Sequence, residues 1–200
     1  MKTQLFRTLA VAGLMLGLAL FGLSSVAKAQ LAKDKSMGAG LALGLANTPE
    51  ESKFSQNGTP IDLHFDWNLD SNWLKFRFGY NLGAGGRYKF SYFNKTWTND
   101  LTTDSLYGAW RYSMAFMGDA LQAYALAGIA MMSTTLKIDP GAASATDSVI
   151  GITAGAGAIY SLGAIGVGGQ YQFFSGTAKP GGASLAAGSN QISLVANYSF

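Results

Sequence analysis

Eight times after residue 36, large apolar residues alternate with small or polar ones for about ten positions before turn residues interrupt them. Few other patterns constrain a chain as tightly. Period-two alternation dictates a β-strand with two unlike faces. The stretch Pro60 to Leu69 shows it most clearly: Ile61, Leu63, Phe65, Trp67 and Leu69 alternate with Asp62, His64, Asp66 and Asn68. Beyond the N-terminal segment, no apolar run reaches the roughly 20 residues of a membrane helix.

The other segments follow suit. Met37, Leu41, Leu43 and Leu45 stand against Gly38, Gly40, Ala42, Gly44 and Ala46, and Leu74, Phe76, Phe78 and Tyr80 against Lys75, Arg77 and Gly79. Leu106, Trp110, Tyr112, Met114 and Phe116 stand against Tyr107, Ala109, Arg111 and Ser113. The fifth segment, Leu121 to Leu136, has an ambiguous phase: Tyr124, Leu126 and Met132 share one parity, Ile129 and Met131 the other. The last three place Ile152, Tyr171 and Leu194 in one phase and Thr153, Gln172 and Ser193 in the other.

Connections alternate between short turns (70–72, 117–119, 161–164) and long polar or Gly-rich stretches (47–59, 85–103, 138–147, 174–190). An even count of strands about ten residues long, joined short-long, predicts an all-β fold. Specifically, it predicts an eight-stranded antiparallel up-and-down transmembrane β-barrel. Large residues then face lipid and small or polar ones the lumen. Trp67, Trp73, Phe116, Tyr160 and Tyr198 fall where interfacial aromatic girdles would lie. A water-soluble β-sandwich would have to bury Asp62, His64, Asp66, Lys75, Arg77 and Arg111 or leave rows of Leu, Phe and Trp in water, and both are costly.

The N-terminus agrees with export. Lys2 and Arg7 precede the uncharged Leu9 to Leu23 run and the small-residue site Ala27-Lys28-Ala29, the order of a secretory signal peptide. The expected organisation is a signal peptide over 1–29 and a barrel domain over 30–200. The 14 basic residues exceed the 11 acidic ones only through Lys2, Arg7 and Lys28, so the basic balance does not point to nucleic acid. The chain has no cysteine, which excludes a lipoprotein anchor, disulfides and Cys-based metal motifs.

The chain resembles the small outer-membrane β-barrel family, the group holding outer membrane protein X and the transmembrane domain of outer membrane protein A. The ending ISLVANYSF carries the resemblance most specifically. Tyr198 and terminal Phe200 look like the family's signal to the barrel-assembly machinery. The resemblance implies the Gram-negative outer membrane, with lipid and lipopolysaccharide as surroundings. It does not imply one function, since this fold hosts structural proteins, adhesins, small pores and lipid A enzymes.

Counting back from the 70–72 turn puts Asp66 opposite Lys75 or Arg77, and His64 opposite Arg77 or Gly79, with Arg111 on the next strand. These residues form an expected lumenal polar network, since buried charges persist only when paired. Asp62, His64 and Asp66 could instead be read as a carboxylate-oriented base. However, His64 is the single histidine, lies near mid-depth and has no supporting Ser at the rim, so no catalytic residue is assigned. One His with two carboxylates on one strand is an incomplete zinc set, so no metal and no cofactor are expected.

After Leu82 the parity continues through Tyr88, Phe90 and Tyr92. Arg87, Tyr88, Lys89, Phe90, Tyr92, Lys95 and Trp97 would then form an aromatic and basic projection able to contact a ligand above the lipid. The expected function is a non-enzymatic structural, envelope-integrity or adhesion role through extracellular loops. The alternatives are a narrow pore or hydrophobic-ligand carrier, and a lipid A-modifying enzyme. A monomer is expected.

Overall fold

The computed structural model describes residues 37–47, 56–71, 74–92, 95–117, 120–139, 143–182 and 184–200; residues 1–29, read above as a signal peptide, lie outside them. Eight long strands account for most of these residues. They are β1 (Met37–Asn47), β2 (Ile61–Ser71), β3 (Leu74–Tyr92), β4 (Lys95–Phe116), β5 (Leu121–Asp139), β6 (Ala143–Leu162), β7 (Ile165–Ser175) and β8 (Ser189–Ser199). Each pairs antiparallel with its sequence neighbours, and β1 pairs with β8 to close the barrel. Closure leaves no sheet edge within the band that lipid surrounds, where an unpaired backbone group would find no water.

The faces sort by the alternation in the sequence. Leu43, Phe65, Trp67, Phe78, Trp110, Tyr112, Ile152, Ile192 and Leu194 are exposed on the outside, while Asp62, His64, Asp66, Arg77, Arg111, Gln170 and Gln172 are buried within. The fifth segment's phase is resolved: Tyr124, Leu126, Ala130 and Met132 point inward, Ile129 and Met131 outward. The expectation of a lumen lined only by small and polar residues needs correction. Leu126, Met132, Ile159, Phe174 and Val195 are also buried there, because an eight-stranded barrel is filled rather than hollow.

The strands are unequal. β1, β2, β7 and β8 have 11 residues, whereas β3 to β6 have 19, 22, 19 and 20. Much of the stretches 85–103 and 138–147, expected as loops, is therefore strand. On β4 the outward residues change from Phe116, Met114, Tyr112, Trp110 and Leu106 to Asp104, Thr102, Asp100 and Thr98. The apolar part spans about the ten residues a bilayer requires. The polar remainder projects roughly 25 Å beyond it, at about 3.3 Å per residue and a ~40° tilt.

The parity expected to run unbroken from Leu82 to Tyr92 does not. Asn81 pairs with Ser105 but Ala84 with Thr103, so β3 gains one residue in a β-bulge. Gly83 adopts φ 75° there and donates its N–H to Asp104 Oδ1 at 2.9 Å. One extra residue shifts the strand's phase by one, so backbone positions beyond the bulge fall on the opposite face from that given by unbroken parity.

The short turns gather at one end, the periplasmic end in barrels of this kind. Met117 (φ 53°) and Gly163 (φ 71°) take left-handed conformations in two of them. Residues 70–71 close the β2–β3 connection on the strand side, and Trp73 lies outside the described residues. At the other end the β7–β8 connection is more ordered than a polar loop. Thr177–Ala178 pairs with Leu185–Ala186, and Ala178 and Ala187 are buried with Met132 and Phe174, which stops the outer end of the lumen.

Candidate functional site

The lumen's polar groups converge on Asp66. β2 and β3 set Asp66 directly opposite Arg77. Arg77 donates through Nε to Oδ1 at 2.7 Å and through Nη2 to Oδ2 at 2.8 Å, the two-pronged geometry that a planar guanidinium favours. Arg111, on β4, donates through Nη1 to the same Oδ2. Both guanidinium groups lie over the Tyr124 ring, 5.4 Å and 4.1 Å from its centroid. Arg77 Nη1 and the Tyr124 hydroxyl both donate to Gln170 Oε1, at 3.2 Å and 2.8 Å. Gln170 Nε2 then donates to Gln172 Oε1, and Gln172 Nε2 to Thr153. The chain of bonds crosses the barrel from β2 to β6.

A second branch starts at Asp62. Its Oδ1 lies 2.7 Å from His64 Nδ1 and accepts from the Tyr107 hydroxyl at 3.1 Å. His64 Nε2 lies 2.8 Å from Asn197 Oδ1. Toward the outer end, Asn81 and Gln191 exchange amide bonds at 2.8 Å and 3.0 Å, and Thr103 meets Thr134 at 3.1 Å. Small residues make the room. A Cβ on Gly79 would collide with the Tyr107 phenol, and one on Gly157 with that of Tyr124.

Five of the expected network residues, Asp62, His64, Asp66, Arg77 and Arg111, thus lie together. Lys75 lies on the same strand as Arg77, half-buried, with Asn68 and Arg111 as its cross-strand neighbours. Tyr107, Tyr124, Asn81, Gln170, Gln172, Gln191 and Asn197 complete the network. Their inward parity was the only signal that could have found them.

The chemistry of the arrangement is cohesive. Two arginines and two aspartates are nearly inaccessible, and the bonds satisfy most of their polar atoms. Asp62 Oδ2, Asn99 Oδ1, Arg111 Nε and Ser113 Oγ are the buried exceptions among the described residues. The Asp62–His64 pair has the look of an oriented base, but both ring nitrogens are engaged and the Asp66 carboxylate is taken up by two arginines. Among the described residues no three His, Asp or Glu side chains are grouped to hold a metal ion.

The expected ligand contacts, residues 87–97, run along the tip of the β3–β4 hairpin, where Arg87 pairs with Asp100, Lys89 with Thr98, Phe90 with Trp97 and Tyr92 with Lys95. The side chains from Arg87 to Trp97 lie outside the described residues. At the opposite end Met37 and Phe200 exchange two backbone bonds, of 3.2 Å and 3.0 Å. The Phe200 ring stacks on Tyr198 at 6.0 Å and meets Phe65 at 6.3 Å.

A model of the outer membrane protein beta-barrel domain matches residues 16–200. The chain belongs to this family. It is an outer-membrane barrel of the Gram-negative envelope. Solved structures share the fold. Neisserial surface protein A superposes with a TM-score of 0.58 at 16% identity, over 82% of this chain and 96% of that one. The attachment invasion locus protein Ail of Yersinia pestis, in complex with the heparin analogue sucrose octasulfate, superposes with a TM-score of 0.50 at 16% identity, over 82% and 97%. No curated protein matches the chain in sequence.

Proposed function

We propose that the protein is a non-enzymatic surface barrel. A sealed membrane anchor raises the sheet formed by β3 to β6 above the outer leaflet, and that sheet serves adhesion or envelope integrity. The observation that carries this reading is the inequality of the strands: β3 to β6 are up to twice the length of the other four, and the bilayer needs only about ten residues of each. Backbone built beyond that need is exposed to whatever approaches the cell. The lumenal charges support the same reading, since Asp66, Arg77 and Arg111 bind one another across the lumen. The fold neighbour Ail was solved with a heparin analogue, which makes a sulfated polysaccharide a reasonable first probe.

The test expresses the full chain in a Gram-negative host beside a variant in which residues 88–99 are replaced by a two-residue turn. Binding to heparin-coated surfaces and to cultured epithelial cells is measured, together with detergent sensitivity and the lipid A mass profile. The shortened variant is expected to fold but lose most of the binding or detergent resistance that the full chain confers, with lipid A unchanged. Equal behaviour of the two strains would overturn the proposal, as would lipid A that gains or loses an acyl chain on expression.

A further inference from the structure

β1 is bare on the inside. Its inward residues are Gly38, Gly40, Ala42, Gly44 and Ala46, so it offers the lumen no hydrogen-bonding side chain. Yet β1 is one half of the β1–β8 seam that closes the barrel. The lumenal bonds at this place pass over it. His64 of β2 lies directly opposite Gly40, and Gly40 opposite Asn197 of β8. His64 Nε2 comes within 2.8 Å of Asn197 Oδ1, so this bond straddles β1. A Cβ on Gly40 would collide with both of its ends. On the far side of the imidazole, Nδ1 lies 2.7 Å from Asp62 Oδ1, which aims Nε2 across the seam. Further out, the buried amides of Asn81 on β3 and Gln191 on β8 exchange two bonds, and neither β1 nor β2 takes part.

Strands two apart in a sheet are separated by about 10 Å, twice the ladder spacing. His64 and Asn197 therefore meet in this geometry only when β1 lies between their strands and pairs with both. β1 and β8 stand at opposite ends of the barrel sequence, and closing so long a stretch of chain costs entropy before any contact rewards it. The bonds over β1 follow that closure and cannot lead it. We propose that they form a latch: side chains of β2 and β3 catch β8 from inside once the seam has closed, and hold the barrel shut at the joint between its chain ends. The latch lies in the lumen and is independent of the projecting sheet, so its test stands apart from the adhesion assay.

The test follows the full chain folding into lipid vesicles and unfolding in urea, by the gel mobility of the folded barrel, together with amide exchange strand by strand. Gly40→Ala wedges a methyl group under the strap without straining the backbone, since Gly40 has no left-handed φ. Asn197→Ala removes the catch itself and decides the matter if the first variant fails to fold. Both variants are expected to unfold about tenfold faster while folding at the wild-type rate, the signature of a contact made after the transition state. Exchange should rise in β1 and β8 and stay unchanged in β5 and β6. Combining the two substitutions should add nothing to the worse of them, because both cut one strap. Unfolding at the wild-type rate would overturn the proposal. So would folding that is slowed as much as unfolding is hastened, or lost in both variants, since the bond would then precede closure. Additive effects, or exchange that rises evenly round the barrel, would equally contradict a latch.

Discussion

At the scale of single residues, Asp66 holds the most leverage. It is the shared acceptor for two arginines that are almost wholly out of water. Removing it leaves two buried positive charges without their partner. Asp66→Ala is therefore expected to cost about 3–5 kcal/mol, read as the urea midpoint of folding into lipid vesicles. Replacing Asp66, Arg77 and Arg111 together with apolar residues of similar volume should recover most of that loss, because no charge is then left unpaired. A triple variant as unstable as Asp66→Ala would show that the damage was steric. His64→Ala removes the bonds to Asp62 and Asn197 and should cost about 1–3 kcal/mol. It should also leave the lipid A of expressing cells unchanged by mass spectrometry, whereas a shift in acyl number that depends on His64 would reveal a reaction. The Asp66–Arg77 opposition was only partly legible in the sequence: counting back from the 70–72 turn left Lys75 or Arg77 as the partner, and the register shift between Asn68 and Ser71 decides for Arg77. Tyr107, Tyr124 and Gln170 were harder to single out: parity turned Tyr107 and Gln170 inward but left Tyr124 undecided, and it did not show which of the facing strands they would reach across the lumen.

At the scale of elements, the bulge in β3 sets how the projecting hairpin is aimed. Gly83 holds φ 75°, a conformation that costs a β-branched residue roughly 1–2 kcal/mol. Gly83→Val should lower stability by about that amount and increase proteolytic nicking between residues 84 and 104, while the lumenal half stays protected. Unchanged nicking would mean the bulge does not govern the hairpin. A bulge leaves little trace in a sequence, and so the parity carried past Leu82 led to the wrong face. The same limit applied to β4, β5 and β6 above the lipid. Their Thr, Ser and Asp residues read as loop, yet polar residues are what a strand requires on leaving the bilayer. At the opposite end Phe200 closes the β1–β8 seam through two backbone bonds with Met37. Deleting Phe200 should reduce folded barrel in cells several-fold but change refolding into pure vesicles much less, if the terminal residue addresses the assembly machinery. Equal losses in both settings would assign it a purely structural role.

At the scale of the whole molecule, the barrel is a plugged cylinder, with polar bonds running through the lumen and an apolar stop of Met132, Phe174, Ala178 and Ala187 at its outer end. Its two-sided pattern was readable because lipid outside and packed lumen inside impose opposite demands at every second residue. The apolar filling of the lumen was not, since Leu126, Met132 and Phe174 look the same in sequence whether they meet lipid or the core. The seal separates a surface anchor from a channel, and the electrical conductance of the purified protein in a planar bilayer tests it most directly. The wild type should hold the membrane at its baseline current at both voltage polarities. Steady, ion-selective current steps from the wild type would contradict the closed lumen, and with it the reading of Asp66, Arg77 and Arg111 as a structural plug.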